Sequence, residues 1–526
     1  MERPFIPRRT EPAAAYDAVV IGSGVGGLTC ANLLVRQGLR VLLVEQHYRL
    51  GGYCSTFKRA GYVFDAATHF YPLLGNPDTI TGKVLADLGV RTRWVKMDPV
   101  DTFHLPDGSR FAVPADLDTY LAKLKVEFPA ERRAIDEFFA VVRLVYMHGL
   151  LHYFRDRPSQ RLAPFIDMTV RDALDRYFED PRLKLLLTAD CPHWGSPPKR
   201  TSFVFDSMLR LAYFQGNYYP VGGSQAFADG LARRFEEQGG DILMSTRVDE
   251  ILVRGGAAAG VRAETTRGPL RGVRSIAAGV VVSNADLVQT LERLLGEAHV
   301  DPDDLEKARS LRPSYPCFLT HVGLRGVSDR QLHEAQGYYW KTWNPDEVGR
   351  EGLICKIFSP TLYEPGMAPE GGQIVILQKV LEMVPGDVDD WAQHKAKVEG
   401  FVTRHLERVL PGISDKIVVK LSATAMTAHK YTLNTAGSML GWEMSPDQLG
   451  NARPGNEASV RGLFLVGQWV RPGGGITPVI ISALKAAESI AGRAAGVGLR
   501  SPADRDLQGA AAALGGGRAP STSRKG

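Results

Sequence analysis

The sequence predicts an α/β protein built on a parallel β-sheet, into which a second domain of mixed α+β structure is inserted. Three observations support this fold class. Near the N-terminus a short apolar strand, a glycine-rich turn and a helical pattern follow one another. Similar alternations of strand and helix return after Tyr218 and after Arg461. The chain has 526 residues, which is too many for one compact core, so two domains are expected.

The N-terminal stretch, residues 16–52, has the features of a Rossmann-type unit. Its apolar patterns predict a strand over residues 18–22, a helix over 28–37 and a second strand over 40–44. A strand, a tight turn and a helix in this order form the first part of a dinucleotide-binding site. We therefore expect a dinucleotide at this turn.

Three glycines form the turn: Gly22, Gly24 and Gly27 stand at G-x-G-x-x-G spacing. The first permits a tight turn, the second lets a pyrophosphate approach the backbone, and the third lets the helix pack on the strand. The helix N-terminus adds free N–H groups and a positive dipole end. Glu45 follows the second strand, where a carboxylate can accept hydrogen bonds from both hydroxyls of a ribose. The strand, helix and acid around the glycines disfavour an ordinary βα turn.

Composition excludes several classes of protein. Hydrophobic residues make up 44% and charged residues 23% of the chain, as in soluble globular proteins, and a net charge of +5 gives no footprint for nucleic acid. The five cysteines are scattered without a C-x-x-C pair, which argues against a disulfide framework and a zinc site, and no other spacing suggests a metal. The N-terminus lacks the apolar region of a signal peptide, and no apolar run is long enough to cross a membrane. A cytoplasmic location is expected.

Between the first and last cofactor elements the pattern changes. A hairpin is expected over residues 101–114, with Pro-Asp-Gly at its turn, and helices are expected over 116–211. The apolar stretch from Phe138 to Phe154 has two interpretations: a helix that lies in a membrane surface, or a buried helix of the inserted domain. Near the C-terminus a buried strand ends at Gly467. After a triple-glycine turn, Thr477 is expected to cap a further helix.

Two stretches carry a resemblance to a known family. Gly51 and Gly52 follow Glu45 after a short linker, a feature similar to FAD-binding flavoenzymes of the glutathione-reductase type. The C-terminal GLFLVGQWVRPGGGITPVIIS resembles the carotenoid-desaturase superfamily, which includes phytoene desaturases, carotenoid cis–trans isomerases and retinol saturases. The resemblance covers roughly residues 16–496. Gln468-Trp469-Val470-Arg471 departs from the desaturase pattern, and GGYCSTF at residues 51–57 is nearer the saturases and isomerases, so the reaction stays open.

The resemblance implies a Rossmann-type FAD-binding domain of the glutathione-reductase/amine-oxidase type with an inserted α+β substrate domain. It implies noncovalent FAD, an apolar polyene or isoprenoid substrate along the flavin, hydride transfer with flavin N5, and contact with the membrane in which that substrate dissolves. The helix that begins near Thr477 would stabilise negative charge on the reduced flavin. The residues expected to bind the cofactor are Gly22, Gly24, Gly27, Glu45, Gln46, Gly51, Gly52, Tyr53, Val248, Gly467, Gly475, Ile476 and Thr477.

Glu443 is the expected catalytic residue. Glu443 matches by position an acidic residue of the desaturases, where a carboxylate could stabilise a carbocation or move a proton. A solvated surface group is the alternative. His69 could face the flavin edge or serve a structural role, and the aromatic residues around Tyr338 and Trp343 could wall a tunnel or simply pack.

Three further activities compete with desaturation and isomerisation. A retinol-saturase-like or an amine-oxidase-like flavoenzyme would share the fold. A prenyl-binding protein related to the GDP-dissociation inhibitors would share it without using flavin, although the complete glycine set and Glu45 favour retained FAD. The oligomeric state is not predicted.

These patterns divide the chain into two interleaved domains and two terminal segments. In chain order they are a flexible arm (1–15), cofactor domain (16–105), mostly helical substrate domain (106–217), cofactor domain (218–300), substrate domain (301–415), cofactor domain (416–496) and a disordered tail (497–526).

Overall fold

The computed structural model describes residues 5–8, 11–67 and 69–495. Its strands, in chain order, are β1 (Ala15–Ile21), β2 (Val41–Val44), β3 (Thr56–Arg59), β4 (Tyr62–Asp65), β5 (Tyr71–Pro72), β6 (Trp94–Lys96), β7 (Asp101–His104), β8 (Arg110–Val113), β9 (Asn217–Pro220), β10 (Asp241–Leu243), β11 (Thr246–Arg254), β12 (Ala257–Thr265), β13 (Gly272–Ser283), β14 (Cys317–Arg325), β15 (Gly337–Trp340), β16 (Leu353–Phe358), β17 (Gly372–Val380), β18 (Ile417–Ala423) and β19 (Leu463–Leu465).

The α-helices are α1 (Val25–Arg36), α2 (Ile80–Leu88), α3 (Leu117–Glu127), α4 (Arg132–Gly149), α5 (Val170–Tyr177), α6 (Pro181–Leu186), α7 (Phe203–Phe214), α8 (Ser224–Glu237), α9 (Leu287–Gln289), α10 (Pro302–Ser310), α11 (Asp329–Ala335), α12 (Trp391–Val409), α13 (Ala425–Thr432) and α14 (Ile476–Ala495). Within the described part of the chain, each helix is too short or too polar to span a bilayer.

The first sheet carries the parallel strands that the sequence predicts. Its order is β10-β2-β1-β13-β12-β11, and β19 also pairs with β13. Strands β10, β2, β1, β13 and β19 are mutually parallel, while β11 and β12 form an antiparallel extension with the first half of β13. Because the carboxyl ends of parallel strands lie at one edge, the turns after β1, β2, β13 and β19 meet there. Helix α1 packs against both α8 and α14 at this sheet.

The second sheet belongs to the inserted part of the chain. Its order is β18-β14-β17-β16-β15-β7-β8, and its pairs are antiparallel except for β7 with β15. Helices α3 to α7 contribute to a hydrophobic core that also includes residues of β7, β8 and β15. The long helix α4 buries Phe138, Phe139 and Val142 completely or nearly so. This burial favours the buried-helix interpretation of that apolar stretch over the membrane-surface one.

The structure shifts several expected boundaries. The hairpin β7–β8 forms as predicted, but both strands belong to the second sheet, so a boundary at residue 105 cuts through it. Strand β18 also belongs to the second sheet, although its residues were assigned to the cofactor domain. Helix α14 begins at Ile476, so Thr477 lies inside its first turn and does not cap it. The segment 497–526, expected to be disordered, lies outside the described residues.

Candidate active site

The two glycine-rich turns, far apart in sequence, meet at the edge of the first sheet. A Cβ placed on Gly26 would lie 3.2 Å from Cα of Gly467, so the turns after β1 and β19 are in contact. Asn284, which follows β13, lies between them: its backbone N–H donates to the carbonyl of Ile21 (2.9 Å). The last and first elements of the chain thus form one site, as the sequence analysis requires.

The glycine-rich turn after β1 leads into helix α1, whose N-terminus borders a cavity. Helix α1 has no side-chain cap at Gly24 and no acidic residue in its first turn, so its leading N–H groups and positive dipole end are available to an anion. Gly24, Val25 and Gly26 line the adjoining cavity. Gly27 does not line it; a Cβ there would come 2.1 Å from the carbonyl oxygen of Gly22. The third glycine therefore permits helix and strand to approach, as predicted.

Glu45 lies at the end of β2, against the same turn. Its Oε2 accepts hydrogen bonds from the backbone N–H (2.8 Å) and the hydroxyl (2.6 Å) of Ser23, and its Oε1 accepts one from the N–H of His47 (2.8 Å). The side chain is buried in the protein yet lines the cavity. These bonds hold the carboxylate rigidly, and a carboxylate has further lone pairs with which to accept from a ligand hydroxyl.

The second glycine pair lies against the first turn. Gly51 donates its N–H to the carbonyl of Ser23 (3.0 Å), and a Cβ on Gly52 would lie 3.4 Å from Cα of Gly24. The next residue, Tyr53, donates its hydroxyl to the carbonyl of Ser438 (2.8 Å). Gln46, Gly51, Gly52, Tyr53 and Val248 all line the cavity.

The C-terminal turn closes the site from the other side. Gly467 donates its N–H to the hydroxyl of Ser482 on α14 (3.2 Å). Gly475, Ile476 and Thr477 line the cavity where α14 begins, and the first turn of this helix contains no acidic residue. A helix N-terminus thus borders the cavity here, in addition to that of α1.

A cavity of about 860 Å³ continues from these turns into the inserted part of the chain. Strands β14, β17 and β18 supply one wall, and helices α4 and α7 supply another. The lining residues of this half are mainly apolar and aromatic, and include Phe70, Tyr146, Leu150, Phe205, Met208, Leu209, Tyr213, Leu319 and Leu421. The arrangement provides a slot for an apolar molecule beside the nucleotide end.

Two buried histidines, His69 and His321, and the partly buried His193 also line the cavity. Burial lowers the pKa of His69 to about 3 and that of His321 to about 4, and it lowers the pKa of His193 well below its ordinary value. The positive charge of the nearby Lys356 lowers the pKa of both His69 and His193 further. All three rings are therefore neutral at pH 7.

Glu443 is not among the residues that line the cavity. Its carboxylate is 2% exposed and is held by Nε of Arg200 (2.7 Å) and Nε of Arg312 (3.3 Å). Nothing in this arrangement supports the catalytic role expected for it. The aromatic residues Tyr338 and Trp343 do not line the cavity either and contribute to the core of the inserted part. His69, by contrast, lies on the cavity wall.

Sequence reasoning missed much of the substrate half of the site. His193 lies in a short 3₁₀ turn, residues 191–194, and Tyr213 lies on α7, while Gln378 comes from β17. These residues converge only through the pairing of strands and the packing of helices that are distant in the chain. The local sequence, with Pro192 before His193 and Gly195 after it, indicates a turn and gives no sign of the partners that His193 meets in the fold.

The site fits FAD. The helix α1 N-terminus and the glycines beside it suit a pyrophosphate, Glu45 suits a ribose, and the turn before α14 borders the space that continues into the apolar half. A Cβ on Gly26 would meet the backbone of Gly467, so glycine at this position allows the two turns to lie against each other beside the cavity.

Comparisons with known proteins agree with this fit. Residues 25–491 match the family described as flavin containing amine oxidoreductase. The chain is similar to prolycopene isomerase 1, chloroplastic, from an Oncidium hybrid cultivar, with 26% identity over 92% of this chain and 85% of that protein. It is also similar to the neurosporene-forming phytoene desaturase of Rhodobacter capsulatus, with 28% identity over 90% and 93% of the two chains. The all-trans-retinol 13,14-reductase of Danio rerio is 24% identical over 86% and 82%.

Solved structures share the fold. An oxidoreductase from Methanosarcina mazei superposes with a TM-score of 0.65 at 18% identity, covering 90% of this chain and 99% of that one. Cyclohexylamine oxidase from Brevibacterium oxydans gives a TM-score of 0.60 at 17% identity, covering 91% and 99%. The predicted α/β fold with a Rossmann-type FAD domain and an inserted domain is confirmed, and the similarity to carotenoid desaturases, isomerases and retinol saturases is confirmed with it. The chain belongs to the flavin-containing amine oxidoreductase family and is an FAD-dependent oxidoreductase.

Proposed function

We propose that the enzyme acts on an apolar polyene or isoprenoid, by desaturation or by cis–trans isomerisation. The observation that carries this proposal is the single cavity that runs from the glycine turns into an apolar slot. An elongated hydrocarbon in that slot would bury its surface against the aromatic and aliphatic wall, which stabilises binding by roughly 25 cal/mol per Å² of apolar surface. The relatives named prolycopene isomerase and phytoene desaturase support the same substrate class.

We assign the cofactor to the glycine end of the cavity. Its expected ligands are the residues that line this end, with Gly27 acting through packing: Gly22, Gly24, Glu45, Gln46, Gly51, Gly52, Tyr53, Val248, Gly467, Gly475, Ile476 and Thr477. FAD, when bound, supplies hydride transfer at flavin N5. The apolar wall of the cavity positions the substrate and excludes water. The positive N-terminal end of α14 would stabilise the negative charge of the reduced flavin.

An amine substrate is disfavoured by the charges on the wall. Among the described residues that line the cavity, the carboxylates are Glu45 and Asp249, and both lie at the nucleotide end, after β2 and within β11. An ammonium group in the apolar half would have no carboxylate to pair with, and an unpaired buried charge is costly. The cavity therefore suits an uncharged substrate.

The proposed substrate also implies contact with a membrane, since long polyenes dissolve in lipid. Flotation of the purified enzyme with lipid vesicles, with and without incorporated carotene, would measure it. Recovery in the vesicle fraction is the expected result.

Incubation of the holoenzyme without oxygen, with phytoene, a poly-cis carotene and all-trans-retinol in turn, tests the proposed reaction. A product lighter by two hydrogen atoms indicates desaturation, and an unchanged mass with a shifted absorption spectrum indicates isomerisation. In a parallel incubation with the flavin first reduced by dithionite, a product heavier by two hydrogen atoms would identify a saturase instead, because the reduced flavin supplies the hydride and solvent supplies the proton. If none of the three polyenes binds or reacts, the proposed substrate class is wrong.

A further inference from the structure

A buried chain of polar groups leads from the second sheet to the cavity wall. Lys356 on β16 is 1% exposed, with Asp101 as its ion-pair partner (Nζ–Oδ2 3.6 Å). Its Nζ also donates to the hydroxyl of Tyr338 (3.0 Å) on the neighbouring strand. It approaches Nε2 of His193 (3.2 Å) and lies 3.6 Å from the ring centre of Phe70, which separates it from the cavity. The proposed reaction uses none of these polar groups.

The donor and acceptor roles along this chain are fixed by Lys356. An ammonium group has donors only, and burial lowers the pKa of Lys356 to about 8, which leaves it protonated at neutral pH. Nε2 of His193, in contact with this ammonium group and with the hydroxyl of Tyr338, must therefore act as an acceptor. The ring is neutral, so its one proton is on Nδ1.

This tautomer determines what Tyr213 can do. Nδ1–H of His193 donates to the hydroxyl oxygen of Tyr213 (3.1 Å). The hydroxyl hydrogen of Tyr213 then has no acceptor among the described residues, and Tyr213 lines the cavity. Burial, together with Asp190 and Asp101, raises the pKa of Tyr213 well above its ordinary value, so the hydroxyl keeps this hydrogen. A buried donor without a partner costs free energy until an acceptor arrives.

We propose that Tyr213 donates a hydrogen bond to an oxygen atom of the substrate, so that the cavity selects a polyene bearing a hydroxyl or carbonyl oxygen over the matching hydrocarbon. This inference rests on the proposed function and specifies the substrate class further. Tyr213 is the residue that touches the substrate, and His193, Tyr338, Lys356 and Asp101 are positioning residues that act through it. Sites built to bond a substrate hydroxyl reject analogues that lack one more strongly than apolar pockets discriminate by size.

Binding of matched ligand pairs tests the inference without turnover. The probes are all-trans-retinol and its hydrocarbon analogue axerophtene, and lycopene and its 1-hydroxy derivative, titrated into the holoenzyme while quenching of tryptophan fluorescence is recorded. The wild type is expected to bind the oxygenated member of at least one pair about tenfold more tightly. Tyr213→Phe should abolish that preference and bind the hydrocarbon at least as tightly as the wild type does, because no hydroxyl is then left without a partner beside it.

Two further variants keep the test decisive. Tyr120→Phe removes a hydroxyl from a tyrosine buried in the same core that does not line the cavity, and should keep the wild-type preference. The double variant D101N/K356M removes the ammonium group without leaving an unpaired buried charge, and should lower the preference because the His193 tautomer is no longer fixed. FAD absorbance and the melting temperature verify that each variant is folded.

The outcomes that overturn the inference differ from those that overturn the proposed function. Equal binding of the oxygenated and hydrocarbon ligands by the wild type, or a preference that survives in Tyr213→Phe, means that the hydroxyl does not select the substrate. In either case polyenes still bind and the proposed function stands. Failure of the wild type to bind any of the four polyenes removes both.

Discussion

Gly26 and Gly467 are in contact across the edge of the first sheet. A Cβ on Gly26 would lie 3.2 Å from Cα of Gly467 and 2.6 Å from Oδ1 of Asn284. The first turn of α1 and the turn after β19 therefore approach as closely as backbones can, and Asn284 fills the remaining space. This contact joins the nucleotide end of the cavity to the helix α14 that borders its apolar half.

The variant Gly26→Ala tests how far the site depends on that contact. Helix propensity alone favours alanine over glycine by about 1 kcal/mol. The side chain of Asn284 can rotate away, but the backbone of Gly467 must move, and such overpacking costs about 1–3 kcal/mol. We expect a net loss of stability and weaker FAD retention, measured by thermal unfolding and by the flavin to protein absorbance ratio. In the control Gly279→Ala the new Cβ meets nothing within 4 Å, so neither the stability nor the flavin content should fall below the wild-type value.

Glu45→Ala is expected to weaken FAD binding at least tenfold. The change removes the proposed ribose acceptor, and it also leaves the N–H of Ser23 without its carboxylate partner, which costs about 1–3 kcal/mol. To separate the two effects, the rise in melting temperature on adding FAD is compared with that of the wild type, because this rise reports binding and not the intrinsic stability. Glu250→Ala, which removes an exposed ion pair with Arg262, is the control. An FAD-induced rise in Glu45→Ala equal to that of the wild type would contradict the ribose assignment.

The cofactor half of the fold could be predicted because its signals are local. The strand, glycine turn and helix from β1 to α1 lie within consecutive residues, and the spacing of Gly22, Gly24 and Gly27 records their geometry directly. The second sheet could not be derived in the same way. Strand β7 pairs with β15, with Phe103 opposite Tyr338, and no local pattern links segments so distant in the chain. For the same reason the expected boundary at residue 105 separated the two strands of one hairpin.

The site also has a half that local sequence signals predict and a half that depends on contacts between distant segments. The glycines and Glu45 at the nucleotide end follow from local motifs, although Asn284, which lies between the two turns, was not expected there. His193 and Tyr213 come from a short turn and a helix that meet only in the fold. Glu443 matches a family pattern by its position, and that pattern carries no information about the two arginines that bind it. A match in sequence position shows which segment a residue belongs to, but it does not show where the side chain points.

His405→Phe should stabilise the protein increasingly as the pH falls from about 6.5 to 4. Burial lowers the pKa of His405 to about 4, with Arg408 and His104 adding to this effect, and the unfolded value is about 6.5. In this window the unfolded chain binds a proton that the native state does not, so this histidine lowers stability by about 1.4 kcal/mol per pH unit. Below pH 4 both states are protonated and the effect stops growing.

The difference between variant and wild type isolates this effect. Buried carboxyls such as Asp101, whose pKa is raised to about 7, change stability in the opposite direction, but they are present in both proteins and cancel. Denaturant unfolding of both proteins at a series of pH values gives the difference directly. A difference that is independent of pH would show that the pKa of His405 is not lowered in the fold.

Glu443→Gln is expected to reduce stability and to leave the reaction intact. The substitution removes the negative charge that binds Arg200 and Arg312; because these side chains are 34% and 48% exposed, they can turn to water, and the loss should be about 1–3 kcal/mol. Asp447→Asn, which alters an exposed partner of Arg312 in the same cluster, should cost less than about 1 kcal/mol. Turnover of the polyene is then measured at a temperature where both variants are folded. A catalytic carboxylate would instead give a folded, flavin-loaded protein that has lost turnover by two or more orders of magnitude, because general acid–base catalysis contributes roughly 10²–10⁴-fold.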